Sequence, residues 1–194
     1  MYFPADMNFQ YFFFTTYPGY FLQALPIALL AGALYWLIRY HGKKREPTRR
    51  RVGSVLFVCY LTGLICLTLL LDVMGDVWYR LLYHMDSGRT LRFFEWSFNF
   101  VPRPSEYLHS AESIANFILF LPFGVLYPLS KAKPRWSGTL AAGFVCSVCI
   151  ELLQPVFGRS FDIDDIILNV LGTAVSATVF FLVYAVSGKR RRRR

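Results

Sequence analysis

The sequence predicts an all-α fold: a polytopic transmembrane helical bundle of about five spans, with one long loop carrying an interfacial helix or short strands. Three observations predict it. Hydrophobic residues make up 55% of the 194 positions and charged residues only 17%, below the roughly 25% charged content of ordinary globular domains. The apolar residues gather into runs of roughly 18–22 with few charges, a length that a bilayer requires and a soluble core seldom does. The third is the placement of the basic residues, which cluster beside those runs rather than within them.

The first span is read at residues 20–40, interrupted by Gln23 and by Pro26 near one end. The second is read at 52–71, the third at 111–129, the fourth at 136–153 and the fifth at 166–187. At ~1.5 Å per residue each can cross a hydrocarbon core of ~30 Å, the fourth only just. No internal repeat and no long linker divides them, so the whole chain, 1–194, reads as a single membrane domain. The N-terminus has no basic region ahead of its first apolar run and no small-residue cleavage pattern after it, so that run is expected to stay as a span rather than act as a signal peptide.

Orientation follows from charge. The segment 41–51 holds six Lys and Arg residues, the segment 130–135 holds Lys131, Lys133 and Arg135, and the C-terminal tail holds another six. Five spans put all three on one face, which the positive-inside rule makes cytoplasmic. The N-terminus, a long loop over 72–110 and a short loop over 154–165 then fall outside. The same distribution excludes a nucleic-acid reading of the +9 net charge, because the clusters abut apolar runs and no groove-reading motif accompanies them.

The long loop is not uniformly polar. Val77, Trp78, Leu81, Leu82 and Met85 fall on one helical face, as in a short interfacial helix. Asp86-Ser87-Gly88 reads as a turn. Trp96 to Phe100 alternates as a half-buried strand does, ending at Pro102 and Pro104. This loop is expected to lie on the outer leaflet or to cap the bundle. The four cysteines (Cys59, Cys66, Cys146 and Cys149) all sit inside apolar runs and read as small packing residues.

Polar residues within spans are costly and normally face the bundle interior. Here they form stripes. Asn116 lies ~9 Å down the third span at ~1.5 Å per residue. Gly143, Ser147, Glu151 and Gln154 share one face of the fourth, and Asp165, Asn169, Gly172 and Ser176 share one face of the fifth. With the orientation above, the stripes converge near the outer surface, under the loop that carries Arg159, Asp162 and Asp164. Arg159 suits a bidentate bond to Glu151 or to a ligand phosphate. Asp162, Asp164 and Asp165 suit the positive end of the fifth helix. They are also candidate oxygen ligands for Mg²⁺ or Ca²⁺, though their spacing matches no defined metal loop. Glu151 is the candidate acid or base, and His109 with Glu106 and Glu112 is a weaker one. The identity of any cofactor stays open.

Asn116-Phe-Ile-Leu-Phe120-Leu-Pro122-Phe-Gly124, then Glu151-Leu-Leu-Gln154, then Gly158-Arg159-Ser160-Phe161-Asp162-Ile163-Asp164-Asp165 with Asn169 and Gly172, resemble the VanZ-like membrane protein family. Asn99-Phe-Val-Pro102 is similar to the element preceding that family's core. The resemblance spans about 95–180. It implies a bacterial cytoplasmic-membrane protein and an association with low-level resistance to the glycopeptide teicoplanin.

The leading functional expectation is therefore a cell-envelope protein whose outward polar cluster binds an envelope lipid, a lipid-linked precursor or the lipoglycopeptide itself. The alternative is an intramembrane or interfacial metal-assisted enzyme acting on a phosphate- or carbohydrate-bearing lipid, with Glu151 as acid or base. A transporter is disfavoured, because no polar stripe continues toward the basic face.

Overall fold

A computed structural model describes residues 8–40, 46–88, 90–107 and 109–192. Among the described residues seven α-helices follow in order: α1 (Phe9–Thr15), α2 (Tyr17–Tyr40), α3 (Thr48–Thr68), α4 (Leu71–Tyr83), α5 (Ala111–Ser130), α6 (Trp136–Leu153) and α7 (Ile163–Arg192). Two two-residue strands, β1 (Phe98–Asn99) and β2 (Phe161–Asp162), pair in parallel. Five of the helical segments, in α2, α3, α5, α6 with its 3-10 extension, and α7, are long and apolar enough to cross a membrane.

The expected spans recur with shifted ends. α2 starts three residues earlier than read, at Tyr17, and α7 begins at Ile163 because the aspartates there join its first turn. α3 starts at Thr48 inside the basic cluster and stops at Thr68, three residues short of the reading, because the chain turns there into α4. Hydropathy marks the apolar stretch of a helix and not its caps.

The bundle is held by close helix approach. α5 and α7 share the most extensive contact, and α2 with α3, α6 with α7 and α3 with α5 follow. Leu64, Leu69, Phe120, Phe123 and Ile150 form the central apolar cluster. Around it Phe57, Phe123 and Tyr127 pack with ring centroids 5.4–5.6 Å apart. Tyr60 adds a polar tie, its hydroxyl donating to the Leu119 carbonyl at 2.8 Å. The outer faces carry uncovered apolar side chains such as Leu30, Ile38, Leu182 and Val183, as expected of helices whose solvent is hydrocarbon.

Small residues set the α5–α7 and α6–α7 distances. A Cβ on Gly172 would meet the Phe117 carbonyl oxygen, and one on Gly143 would meet the Thr173 side chain. This is the small-residue packing of membrane bundles, where backbones must approach to gain dispersion contacts. α1 and α4 pack together at one end of the bundle, with Phe13 against Trp78 and Phe14 against Tyr79. The Trp78 indole N–H also donates to the Gln23 carbonyl at 3.1 Å. α4 is amphipathic as read, but its apolar face is divided. Met74 is buried and Trp78 partly so, while Val77, Leu81 and Leu82 remain exposed, a surface suited to lying in an interface.

Replacing Gly172 with Ala should destabilise the protein by about 1–3 kcal/mol, the usual cost of overpacking. At Gly138, where a Cβ meets only the Arg135 Cβ at 3.8 Å, the same change should be neutral or stabilising, because Gly costs helices roughly 0.5–1 kcal/mol relative to Ala. Thermal unfolding of the two variants in the same detergent checks this.

Candidate functional site at the acidic end of the bundle

The ends of α6 and α7 are joined by a tight reversal. α6 runs into a 3-10 turn at Gln154–Phe157, then Gly158 adopts φ 78° and the chain enters β2. Gly158 is required there twice over: its φ is left-handed, and a Cβ would strike the carbonyl oxygen of Arg92. That carbonyl belongs to the long loop, which is laid over the reversal. The Phe94 and Glu95 amides donate to the Val156 and Pro155 carbonyls at 3.2 and 2.9 Å, and the Phe161 amide donates to Ser97 at 2.9 Å. The strand read at 96–100 exists in short form, and the loop caps the bundle.

The aspartates start α7 and fasten the cap. Asp162 is the N-cap of α7, its Oδ1 accepting from the Asp164 amide at 2.9 Å. Its Oδ2 accepts from Asn99 Nδ2 at 3.0 Å and lies 3.4 Å from an Arg103 guanidinium nitrogen. The buried Asp164 accepts the Arg103 main-chain N–H on both oxygens, at 3.2 and 3.0 Å, and the Tyr107 hydroxyl at 2.6 Å. Asp165 turns the other way, toward the side chain of Asn116 on α5.

Beneath lies Glu151, 1% exposed. Its Oε2 accepts from the Asp162 amide at 3.3 Å. With the Gln154 amide nitrogen set toward acceptors, that side chain donates to the same Oε2 at 3.0 Å and to the Ser160 carbonyl at 2.9 Å. A buried carboxyl group needs such partners, since its desolvation is otherwise uncompensated. One turn deeper, buried Asn169 donates to Ser147 Oγ at 3.0 Å, and its Oδ1 has no hydrogen-bond partner among the described residues.

Arg159 behaves differently from the bidentate clamp read in the sequence. It is exposed and donates to the Thr68 carbonyl at 3.2 Å, one of the free carbonyls at the C-terminus of α3. It acts electrostatically on both Glu151 and Asp165, but among the described residues it closes no direct ion pair with either. Asp162 and Asp164 share the Arg103 guanidinium, at 3.4 and 3.9 Å, while Asp165 engages Asn116. Among the described residues no three His, Cys, Asp or Glu side chains are arranged to hold a metal ion.

The structure thus brings together Asn116, Glu151, Gln154, Arg159, Asp162, Asp164 and Asp165, with Asn169 a turn below. Glu112 joins the field around Asp165. His109 stands apart, its Nδ1 3.0 Å from the Ser105 carbonyl, and the Glu106 side chain lies outside the described ones. Arg103, Tyr107 and Thr68 were not singled out in the sequence. Only Arg103 had a signal, its position directly after the Asn99–Pro102 element.

Burial together with the Asp164 bond raises the Tyr107 hydroxyl to about 12. The folded state therefore favours the neutral phenol. This contribution is intact below the unfolded value near 10, and is lost as pH rises from there through about 12. Tyr107→Phe should remove that alkaline loss of stability along with the bond, as read by unfolding midpoints at pH 8, 10 and 11.

The VanZ/LLP1 family model matches residues 57–184. The match begins upstream of the resemblance read in the sequence, within α3, and takes in every residue of the acidic cluster and its cap. No curated protein and no solved structure matches the chain. With most of its length matched, from the middle of α3 almost to the end of α7, the chain belongs to the VanZ/LLP1 family.

Proposed function

We propose that the acidic cluster binds a hydroxyl- or amine-bearing part of a cell-envelope molecule, and through it influences susceptibility to teicoplanin. The ligand class is an envelope lipid, a lipid-linked precursor or the lipoglycopeptide itself. One observation carries the reading: exposed Arg159 and half-buried Asn116, Asp162 and Asp165 converge above buried Glu151 at one end of the bundle.

Charge selects among ligands. Asp162, Asp164 and Asp165 are set against Arg159 and Arg103, so acidic groups outnumber basic ones. A carboxylate-rich rim suits the hydrogen-bond donors of sugar hydroxyls and amines, and repels a phosphate.

The proposal includes the orientation. Arg50 donates to Ser130 at 3.3 Å and Arg49 lies over the Tyr184 ring at 5.5 Å, which gathers the basic ends of α3, α5 and α7 on one side. The positive-inside rule makes that side cytoplasmic in a bacterial cell membrane and turns the acidic cluster outward, with the N-terminus outside and the C-terminus inside.

The test is a knockout host complemented with wild type, Glu151→Gln, Arg159→Ala or Asp165→Asn, with membrane levels checked by blot. Teicoplanin, vancomycin and an unrelated envelope antibiotic form the panel. Loss of one charge-assisted hydrogen bond, at least about 1.5 kcal/mol, should weaken ligand binding about tenfold. Variants that accumulate normally should lose teicoplanin tolerance selectively. Unchanged susceptibility at normal levels would sink the reading, and variants missing from the membrane would show the cluster to be structural.

A further inference from the structure

The opposite end of the bundle carries a second feature, independent of the acidic cluster. A cleft of about 230 Å³ opens where the C-terminus of α2, the N-terminus of α3 and the C-terminus of α5 meet. Its charged lining is Arg39, Arg50, Lys131 and Glu46, three cations against one carboxylate. Its hydroxyl lining includes Tyr35, Tyr40 and Ser54, with the two tyrosine rings 5.9 Å apart. Phe57 and Val58 add apolar surface.

Glu46 does not neutralise this site. It lies 3.4 Å from Arg39 and 3.7 Å from Arg50, long contacts on partly exposed side chains of the kind that contribute little. The two guanidinium groups nonetheless face one place, both within 4 Å of the same carboxylate. Arg50 is fixed further by its bond to the Ser130 carbonyl at 3.3 Å, and Lys131 by the Tyr127 ring, 4.5 Å from its ammonium. α3 also starts here without a side-chain cap, so its positive dipole end adds to the field.

We propose that this cleft holds the phosphate of an anionic phospholipid headgroup. The guanidinium forks and the ammonium supply charge-assisted donors, and the tyrosine and serine hydroxyls supply neutral ones. The volume lies below the roughly 300–1,000 Å³ of sites that enclose a whole small ligand, so it suits a headgroup whose acyl chains stay outside. Position and lining decide between a lipid and a soluble phosphate. The cleft lies at the ends of three helices long enough to cross a membrane, where headgroups are, and its wall is partly apolar. Basic pockets between membrane helices bind anionic headgroups by this chemistry.

The experiment uses the full chain purified in a neutral detergent, with thermal unfolding followed as phosphatidylglycerol, phosphatidylcholine or inorganic phosphate is added. Phosphatidylglycerol should raise the midpoint by about 2–5 °C, as a bound ligand in excess does, and the other two should not. The Arg39→Gln/Lys131→Gln double variant should lose the shift. Lys133→Gln, which removes the same charge from the neighbouring loop outside the cleft, should keep it. Should the double variant not fold, Lys131→Gln alone carries the test, since that side chain is exposed, and it should diminish the shift. An equal shift with phosphatidylcholine, a shift reproduced by inorganic phosphate, or a loss shared by Lys133→Gln would each overturn the proposal.

Discussion

Where a chain turns back between two apolar helices, its peptide groups leave the helical ladder and need partners, and here those partners come from elsewhere in the sequence. The reversal between α6 and α7 passes through a 3-10 turn and a left-handed glycine, neither of which satisfies the backbone alone. Carbonyls of Pro155 and Val156, and the amide of Phe161, are satisfied by residues 94–97 of the long loop. The same loop goes on to engage Asp162 through Asn99 and Asp164 through Arg103 and Tyr107. β2, paired to the loop, presents the Asp162 amide to Glu151, and Arg159 ties the same reversal to the end of α3.

The consequence for the proposed binding is that carboxylates of the candidate site already carry structural roles. Asp162 caps a helix and holds Asn99, while Asp164 grips the Arg103 main chain and Tyr107. Asp165, Asn116 and Arg159 are less committed to the cap and form its more open side. A ligand at this end would therefore meet groups already oriented by packing, which lowers the ordering cost of binding.

The spans were legible because hydrocarbon imposes a length that a sequence must meet with an uninterrupted apolar run. The convergence of Glu151, Asp165 and Asn116 was legible for a related reason, since a helix of known direction fixes the depth and face of each residue. The partners of the cap were not. Alternation at 96–100 suggests a strand but carries nothing about which segment it pairs with, and the parallel register to Phe161 and Asp162 is a long-range fact. Arg159 illustrates the same limit. Its charge and neighbours pointed to Glu151 or to a ligand phosphate, whereas the carbonyl it takes belongs to Thr68 at the end of α3, a contact across 91 residues that no local pattern encodes.

The distance along the chain between the two halves of the cap has a bearing on how the protein is made. Asn99 and its partner Asp162 are 63 residues apart, with the whole of α5 and α6 between them. At translation speeds of roughly 5–20 residues per second, the 94–99 segment waits several seconds before its complement exists. During that interval its exposed aromatic ridge of Trp96, Phe98 and Phe100 and its open strand edge have no protein surface to rest on. The cap therefore cannot close before the reversal between α6 and α7 has been made, and the acidic cluster, which draws Asp165 and Asn169 from α7, is complete only once that helix is in place.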